Sequence, residues 1–380
     1  MNYSKFATVA NNSNNRIFRE TDDPHRTCFM RDRDRIIHST AFRRLKYKTQ
    51  VFVYHEGDYY RTRLSHSIEV SQLARSISKI FLVNDDLAEA IALAHDLGHT
   101  PFGHAGEDAL NEKLKSKGGY NHNFQTIKIL TFLEKRYIDF DGLNLTWETL
   151  DGILKHNGSL KNHDIPSFIN ILVKSFKGDL SLNASIEGQI ASVADDIAYN
   201  NNDIDDGLHA KLFDLEELES LTIIKNNLKK IKFKKIKKDE IRIKHELVRL
   251  CIKDMLNDLA NATKFKLDKH QPKCSQDIKE IDEKIVTFSD EMKQNEKELR
   301  LFLKKKMYEH AAVKTMTFKA KKIISELFDL FEAEPQLLPE NWRKFNFSSD
   351  LHDSISNYIS SLTDKKAITI HNRFFNLYSF

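Results

Sequence analysis

The sequence predicts an all-α protein, on three observations. Glycine and proline are scarce, 12 and 6 in 380 residues, which is few for a turn-rich β chain. Apolar residues recur at helical intervals along most of the length. Strand-like composition is confined to residues 51–60, where β-branched and aromatic residues surround Gly57 and a short hairpin is expected. Hydrophobic residues at 40% and charged residues at 30% fit a soluble chain. The length exceeds what one core usually serves, so two lobes are expected.

Residues 1–15 are polar, with Asn11, Asn12, Ser13, Asn14 and Asn15 clustered, and read as a mobile arm or one ordered by a neighbouring subunit. From residue 26 to 52, Ile36, Ile37, Ala41, Phe42 and Leu45 give helical spacing. Arg31, Arg33, Arg35, Arg43, Arg44, Lys46 and Lys48 lie among them, read mainly as a solvated face with Asp–Arg pairs and otherwise as an anion-binding surface. A helix then starts near Arg61, with Leu64, Ile68, Leu73, Ile77 and Phe81 as its buried stripe and His66 off its centre. Asp85 and Asp86 are expected to cap the next helix. That helix runs through Ala88, Ile91, Ala92 and Ala94 and stops by Gly98 and Pro101, which leaves His95 and Asp96 at its end. A third begins near His104, carries Glu107 on the same face at i, i+3, and closes at Gly118 and Gly119.

Ile127, Leu130 and Leu133 mark an amphipathic helix, and residues 143–160 are expected to be helical, bringing Trp147 and His156 near the core. Asp195, Tyr199 and Asp203 recur every four residues and share one helix face. The lysine run of Lys225, Lys229, Lys230, Lys232, Lys234, Lys235, Lys237 and Lys238 reads as a solvated connection and lobe boundary. Apolar stripes follow through residues 247–259, 299–307 and 323–331. Pro335, Pro339 and Trp342 interrupt them before a last helical segment that ends at Leu362.

The chemistry concentrates in residues 91–107, where an apolar run ends in His95 and Asp96 and is followed by His99, His104 and Glu107. Such a group is costly to bury without a metal or paired charges. With His66 and Asp195 the doublet makes an N2O2 set suited to one divalent ion, Mn, Fe, Ni, Zn or Mg. Net charge of +4 does not by itself imply nucleic-acid binding. Cys28, Cys251 and Cys274 are odd in number and widely spaced, which fits a reducing cytoplasm. No apolar run approaches the roughly 18 residues of a membrane span, and no secretory leader is read at the start.

The stretches RDRDRIIHSTAFRRLKYKTQVF, RTRLSHSIEV, AHDLGHTPFGHAGEDAL, GLNLTWETLDGILKHNG and ADDIAYNNNDIDDG, with LFEAEPQLLPENWR and SLTDKKAI further on, are similar to one family. The chain resembles the HD-domain deoxynucleoside triphosphate triphosphohydrolases, in their bacterial dGTPase-like (type 2) branch, over residues 26–375. The resemblance implies an N-terminal arm (1–25), an HD-domain helical core (26–215) and a C-terminal helical region (216–380). It implies metal ligands at His66, His95, Asp96 and Asp195, a catalytic His104–Glu107 pair, and a further active-site histidine, His122, against phosphate. Arg63 and His99 fall where phosphate-binding groups lie. Gln50 and Asp203 match residues that bond the sugar 3′-hydroxyl, and Tyr199 one that stacks under the ring. Asp196 stands where some relatives carry a phosphate-binding lysine.

The implied reaction is hydrolysis of dGTP or several dNTPs to deoxynucleoside and tripolyphosphate, in a cytoplasmic homo-oligomer (hexamer or tetramer) with a nucleotide or single-stranded DNA as effector. Two other readings stay open. One is an HD phosphohydrolase of the 5′-nucleotidase or alarmone type. The other is a nucleic-acid-binding regulator that uses the basic stretches, with a structural metal site.

Overall fold

Side-chain caps divide the chain into helices, and the computed structural model describes residues 3–10, 16–51, 60–161, 163–233, 240–343 and 350–376. Among the described residues there are eighteen α-helices and no strand, only isolated bridges, one of them antiparallel between Thr49 and Thr62. Most of the expected hairpin, residues 52–59, lies outside the described residues, as do Asn11 to Asn15 and Lys234, Lys235, Lys237 and Lys238.

The first nine helices are α1 (Cys28–Ile37), α2 (Thr40–Arg44), α3 (Arg63–Phe81), α4 (Asp85–Ala94), α5 (His104–Lys113), α6 (His122–Lys128), α7 (Trp147–Leu154), α8 (Ser167–Phe176) and α9 (Ile186–His209). Next come α10 (Leu215–Leu218), α11 (Thr222–Phe233), α12 (Glu240–His270), α13 (Ser275–Glu280) and α14 (Asp290–Leu303). The chain ends with α15 (Ala311–Ala333), α16 (Glu340–Arg343), α17 (Leu351–Ser361) and α18 (Asp364–Phe375).

Helices α3, α4 and α9 pack on one another, and α1 and α7 close over α4. Close approach is possible because α4 buries Ala88, Ala90, Ala92 and Ala94 completely, while α3 turns Ser67, Ala74 and Ser78 inward. Leu87 and Ile91 are buried beside these small residues, each worth about 1.5–3 kcal/mol by transfer. A first apolar cluster extends from Ala7 to Val313. A second joins Phe102, Ala109, Leu110 and Leu114 to the C-terminal helices, from Ala320 to Ile370. Helix α5 therefore packs with the chain's far end, chiefly on α15.

Several expectations are corrected. The inward face of α3 runs through His66, Val70, Leu73, Ile77 and Phe81, whereas Ile68 is 51% exposed; the helix is rotated so that its histidine, not its isoleucine, meets α9. Asn84, not Asp85 or Asp86, caps α4, because its backbone is extended and its side chain accepts from Leu87 N–H. Helix α7 spans only part of residues 143–160, since Thr146 caps its start and Gly158 has φ +115°. Lys48 is buried rather than solvated, while Arg31, Arg33 and Arg35 do pair with Glu20, Asp34 and Asp86. The arm is docked over residues 3–10. Ser4 N–H donates to Leu82 O at 2.7 Å, and Thr8 N–H and Oγ1 bond the buried Glu187 carboxylate at 2.8 and 2.7 Å. The last helical segment does not end at Leu362, because Thr363 caps α18.

Candidate metal and catalytic site

Three groups of side chains meet where α4 ends. The first is His66, His95, Asp96 and Asp195. His95 is the C-cap of α4 and donates from Nδ1 to Ala92 O at 2.6 Å, which turns Nε2 toward the carboxylates. That nitrogen is buried and makes no hydrogen bond, although Asp96 Oδ1 and Asp195 Oδ1 lie 3.3 and 3.6 Å away. His66, from α3, approaches Asp195 Oδ1 with Nε2 at 2.8 Å. Donor atoms of His66, His95 and Asp96 lie within 4.8 Å of one another, as do those of His95, His156 and Asp195.

The electrostatics of this group favour a cation. Burial depresses the His95 imidazole, but Asp96 and Asp195 outweigh burial and raise it to about 9. Burial raises both carboxylates, and neighbouring groups overturn that and hold each well below its usual range: Arg63 first, then His95 and His99, at Asp96, and His95 first, then the hydrogen bonds from His156 and His66, at Asp195. The unbonded Nε2 of His95, with the His66 imidazole and the Asp96 and Asp195 carboxylates beside it, completes a donor set of two imidazoles and two carboxylates that fits a divalent metal ion.

His156 was not among the expected site residues, although it was expected near the core. It follows α7, stacks on His95 with ring centroids 5.0 Å apart, and sets Nε2 3.2 Å from Asp195 Oδ2. Burial lowers its pKa, so it is a neutral donor that orients the carboxylate. Only three dimensions reveal it, since 39 residues separate it from Asp195.

The second group is His99, His104, Glu107 and His122. Glu107 Oε1 accepts from the backbone N–H of His122 at 3.0 Å and its ring Nδ1 at 2.8 Å. Its Oε2 lies 3.5 Å from His104 Nδ1. Burial pushes Glu107 up, yet the bonds from His104 and His122 win and hold it well below the usual carboxylate range. His104 is 63% exposed at its side chain, the one member of this group that stands open to solvent. His99 joins the two groups: it stacks on His122 at 4.0 Å and reaches Asp96 Oδ1 from Nε2 at 3.1 Å. Burial, then Arg63 and His122, drive its pKa far down.

Two glycines make this packing possible. A Cβ on Gly98 would sit 2.1 Å from His122 O, and one on Gly103 would sit 2.8 Å from Arg63 Nη2. Gly103 also has φ +59°, as a non-helical turn into α5 requires. Arg63 is buried and paired with Asp96 Oδ2 at 2.8 Å.

The third group lies along α9. Tyr199 donates to the Tyr308 hydroxyl, which in turn donates to Asp203 Oδ2. Tyr308 was missed because it comes from a segment more than 100 residues later. Burial pushes Asp203 up to about 8; Asp206 adds to this, and Tyr308 and Arg61 oppose it. The Tyr199 ring is 6.5 Å from that of His66, which ties this group to the first. Gln50 is buried, its Oε1 has no partner, and its backbone O lies near Gly103. Asp196 pairs with Arg300 at 2.6 Å.

Comparison with known proteins decides the family. An HD-domain model matches residues 63–200 and a phosphohydrolase-associated domain matches residues 286–373. A deoxyguanosinetriphosphate triphosphohydrolase-like protein of Parvibaculum lavamentivorans is 46% identical over 98% of this chain and 96% of its own length. Proteins of the same description from Brucella suis and Bartonella henselae are also 46% identical, over 98% and 99% of this chain and 96% of their own. The chain belongs to the deoxyguanosinetriphosphate triphosphohydrolase-like family of HD-domain proteins. The HD match spans His66, His95, Asp96, His104, Glu107, His122, His156, Asp195 and Tyr199. Gln50 and Asp203 lie outside it, and Tyr308 falls in the associated domain. Among the described residues no helix is long and apolar enough to cross a membrane.

Proposed function

We propose that this protein hydrolyses deoxynucleoside triphosphates at the α-phosphorus, releasing deoxynucleoside and inorganic tripolyphosphate. The observation that carries the reading is the junction of a cation-seeking His66–His95–Asp96–Asp195 set with the His104–Glu107–His122 relay through His99. His66, His95, Asp96 and Asp195 would hold a divalent ion, Mn, Fe, Ni, Zn or Mg, which would supply Lewis-acid chemistry at the phosphate. The chain's own groups do the rest. Glu107 fixes the ring nitrogens of His104 and His122 that face it, so the opposite nitrogens are presented outward. Water adds to the α-phosphorus and releases a proton to solvent, and the bond to the 5′-oxygen breaks. His104, which is open to solvent, delivers the proton that the leaving oxygen needs and is reprotonated from solvent. His122 and Arg63 face the phosphate oxygens, Gln50 and Asp203 bond the 3′-hydroxyl, and Tyr199 lies under the sugar. Tyr308 completes that wall.

The test is incubation of purified, metal-loaded protein with each dNTP and each NTP, with products resolved by anion-exchange chromatography and phosphorus NMR. Tripolyphosphate with unphosphorylated deoxynucleoside is the expected result. Release of orthophosphate or pyrophosphate instead would point to the 5′-nucleotidase or alarmone type and overturn the reading. Equal rates on NTPs would remove the sugar-reading role from Gln50, Tyr199 and Asp203.

A further inference from the structure

We infer that Asp364, in the first turn of α18, is a positioning residue that holds the catalytic turn and the sugar-facing segment in register; its kinetic consequence rests on the hydrolase reading above. Asp364 is wholly buried, and among the described residues its side chain takes three hydrogen bonds, all from distant parts of the chain. Phe102 N–H donates to Oδ1 at 2.9 Å. Thr49 N–H donates to Oδ2 at 2.9 Å, and the Thr49 hydroxyl bonds the same oxygen. Thr49 is the residue before Gln50, and Phe102 lies two residues before His104. One carboxylate thus ties together the backbones that present a candidate sugar contact and the candidate proton donor.

The neighbouring cation completes the tie. Lys48, also buried, donates from Nζ to His99 O at 2.5 Å and to Ser360 O at 2.8 Å. The segment from Ser360 to Asp364 therefore clamps residues 48–49 on one side and residues 99–102 on the other.

Helix capping does not account for this carboxylate, because Thr363 already caps α18 by accepting from Lys366 N–H. Burying a carboxylate is costly unless its bonds matter, and here they fix a backbone that resists its own conformation. Phe102 has φ +63°, a left-handed geometry disfavoured for a residue with a side chain. Its ring packs in the second apolar cluster with the C-terminal helices, and Asp364 holds its amide. Released from both, the turn would relax and carry His104 with it. Errors of about 1 Å in the placing of a reacting group cost on the order of a hundredfold in rate.

The experiment compares wild type with Asp364→Asn, which keeps the volume but has one acceptor oxygen for donors on both sides: with that oxygen toward the two Thr49 donors, its NH2 faces Phe102 N–H and cannot accept from it. Backbone hydrogen exchange is read over residues 97–104 and, as a control, 70–81, alongside kcat and KM on a dNTP and metal content by elemental analysis. The expected result is faster exchange over residues 97–104 alone, unchanged metal stoichiometry, and kcat lower by about tenfold to a hundredfold with KM changed less. Exchange that stays at the wild-type rate overturns the inference, and so does faster exchange with kcat within twofold of wild type. Inactive wild type would refute the hydrolase reading, while exchange alone would still decide whether Asp364 holds the turn. Should Asp364→Asn fail to fold, Thr49→Val removes only the hydroxyl bond. It is then expected to raise the dNTP KM severalfold through Gln50 with kcat little changed, and an unaltered KM overturns the inference.

Discussion

Replacing Asp203 with asparagine should make the protein more stable at alkaline pH, relative to wild type, by an amount that grows with pH. Asp203 is fully buried among Tyr308, Asp206 and Arg61, and burial pushes its carboxyl from 3.8 to about 8. A raised folded-state pKa means that the native state binds a proton more tightly than the unfolded chain does. The stabilisation from that proton is complete below pH 3.8 and is lost as pH rises toward 8. Across that window each pH unit removes about 1.4 kcal/mol, so between pH 5 and pH 8 wild type loses about 4 kcal/mol that Asp203→Asn keeps. The amide still accepts from Tyr308, so geometry changes little. Urea unfolding of both proteins at pH 5, 6, 7 and 8 and constant ionic strength measures the difference, in which titrating groups that do not interact with Asp203 cancel. A difference that stays flat within about 1 kcal/mol across that range would refute a neutral Asp203.

Two further outcomes follow from the site. His104→Ala should lower kcat by about a hundredfold to ten-thousandfold with metal content and unfolding midpoint unchanged, because the side chain is 63% exposed; steady-state kinetics of the metal-loaded variant decides, and an unaltered kcat would remove its role as proton donor. His66→Ala should abolish the thermal stabilisation that Mn gives wild type, about 2.7 kcal/mol at a hundredfold excess over Kd; an undiminished shift in scanning calorimetry would take His66 out of the ligand set.

Much of the fold was legible because helices advertise themselves locally. Apolar spacing marks α4, and its stop by Gly98 and Pro101 leaves His95 and Asp96 at the helix end. The caps were less legible, since Asn84 rather than Asp85 or Asp86 starts α4 and Thr363 opens a helix beyond the expected end at Leu362. What sequence periodicity misjudged was rotation. Ile68 was expected inside α3 on hydrophobicity, yet the packing partners α4 and α9 turn His66 and Ser67 inward. The His95–Asp96 doublet and the i, i+3 pair of His104 and Glu107 could be read from neighbouring residues. His156, Tyr308 and Asp364 could not, since each reaches its partner across a long loop of chain and carries no local spacing signal. Lys48 shows the same limit from the other side: a lysine within a basic stretch reads as solvated, and only its two carbonyl acceptors, His99 O and Ser360 O, explain its burial.

The chain of hydroxyls from Tyr199 through Tyr308 to Asp203 has a thermodynamic consequence for recognition. Tyr199, Tyr308 and Asp203 are bonded to one another. On the proposed reading, a sugar bound there exchanges one set of hydrogen bonds for another, and its affinity reports only the difference between them. A ligand without a well-placed hydroxyl breaks the internal bonds and returns nothing. Such a pocket rejects poor partners more strongly than it rewards good ones.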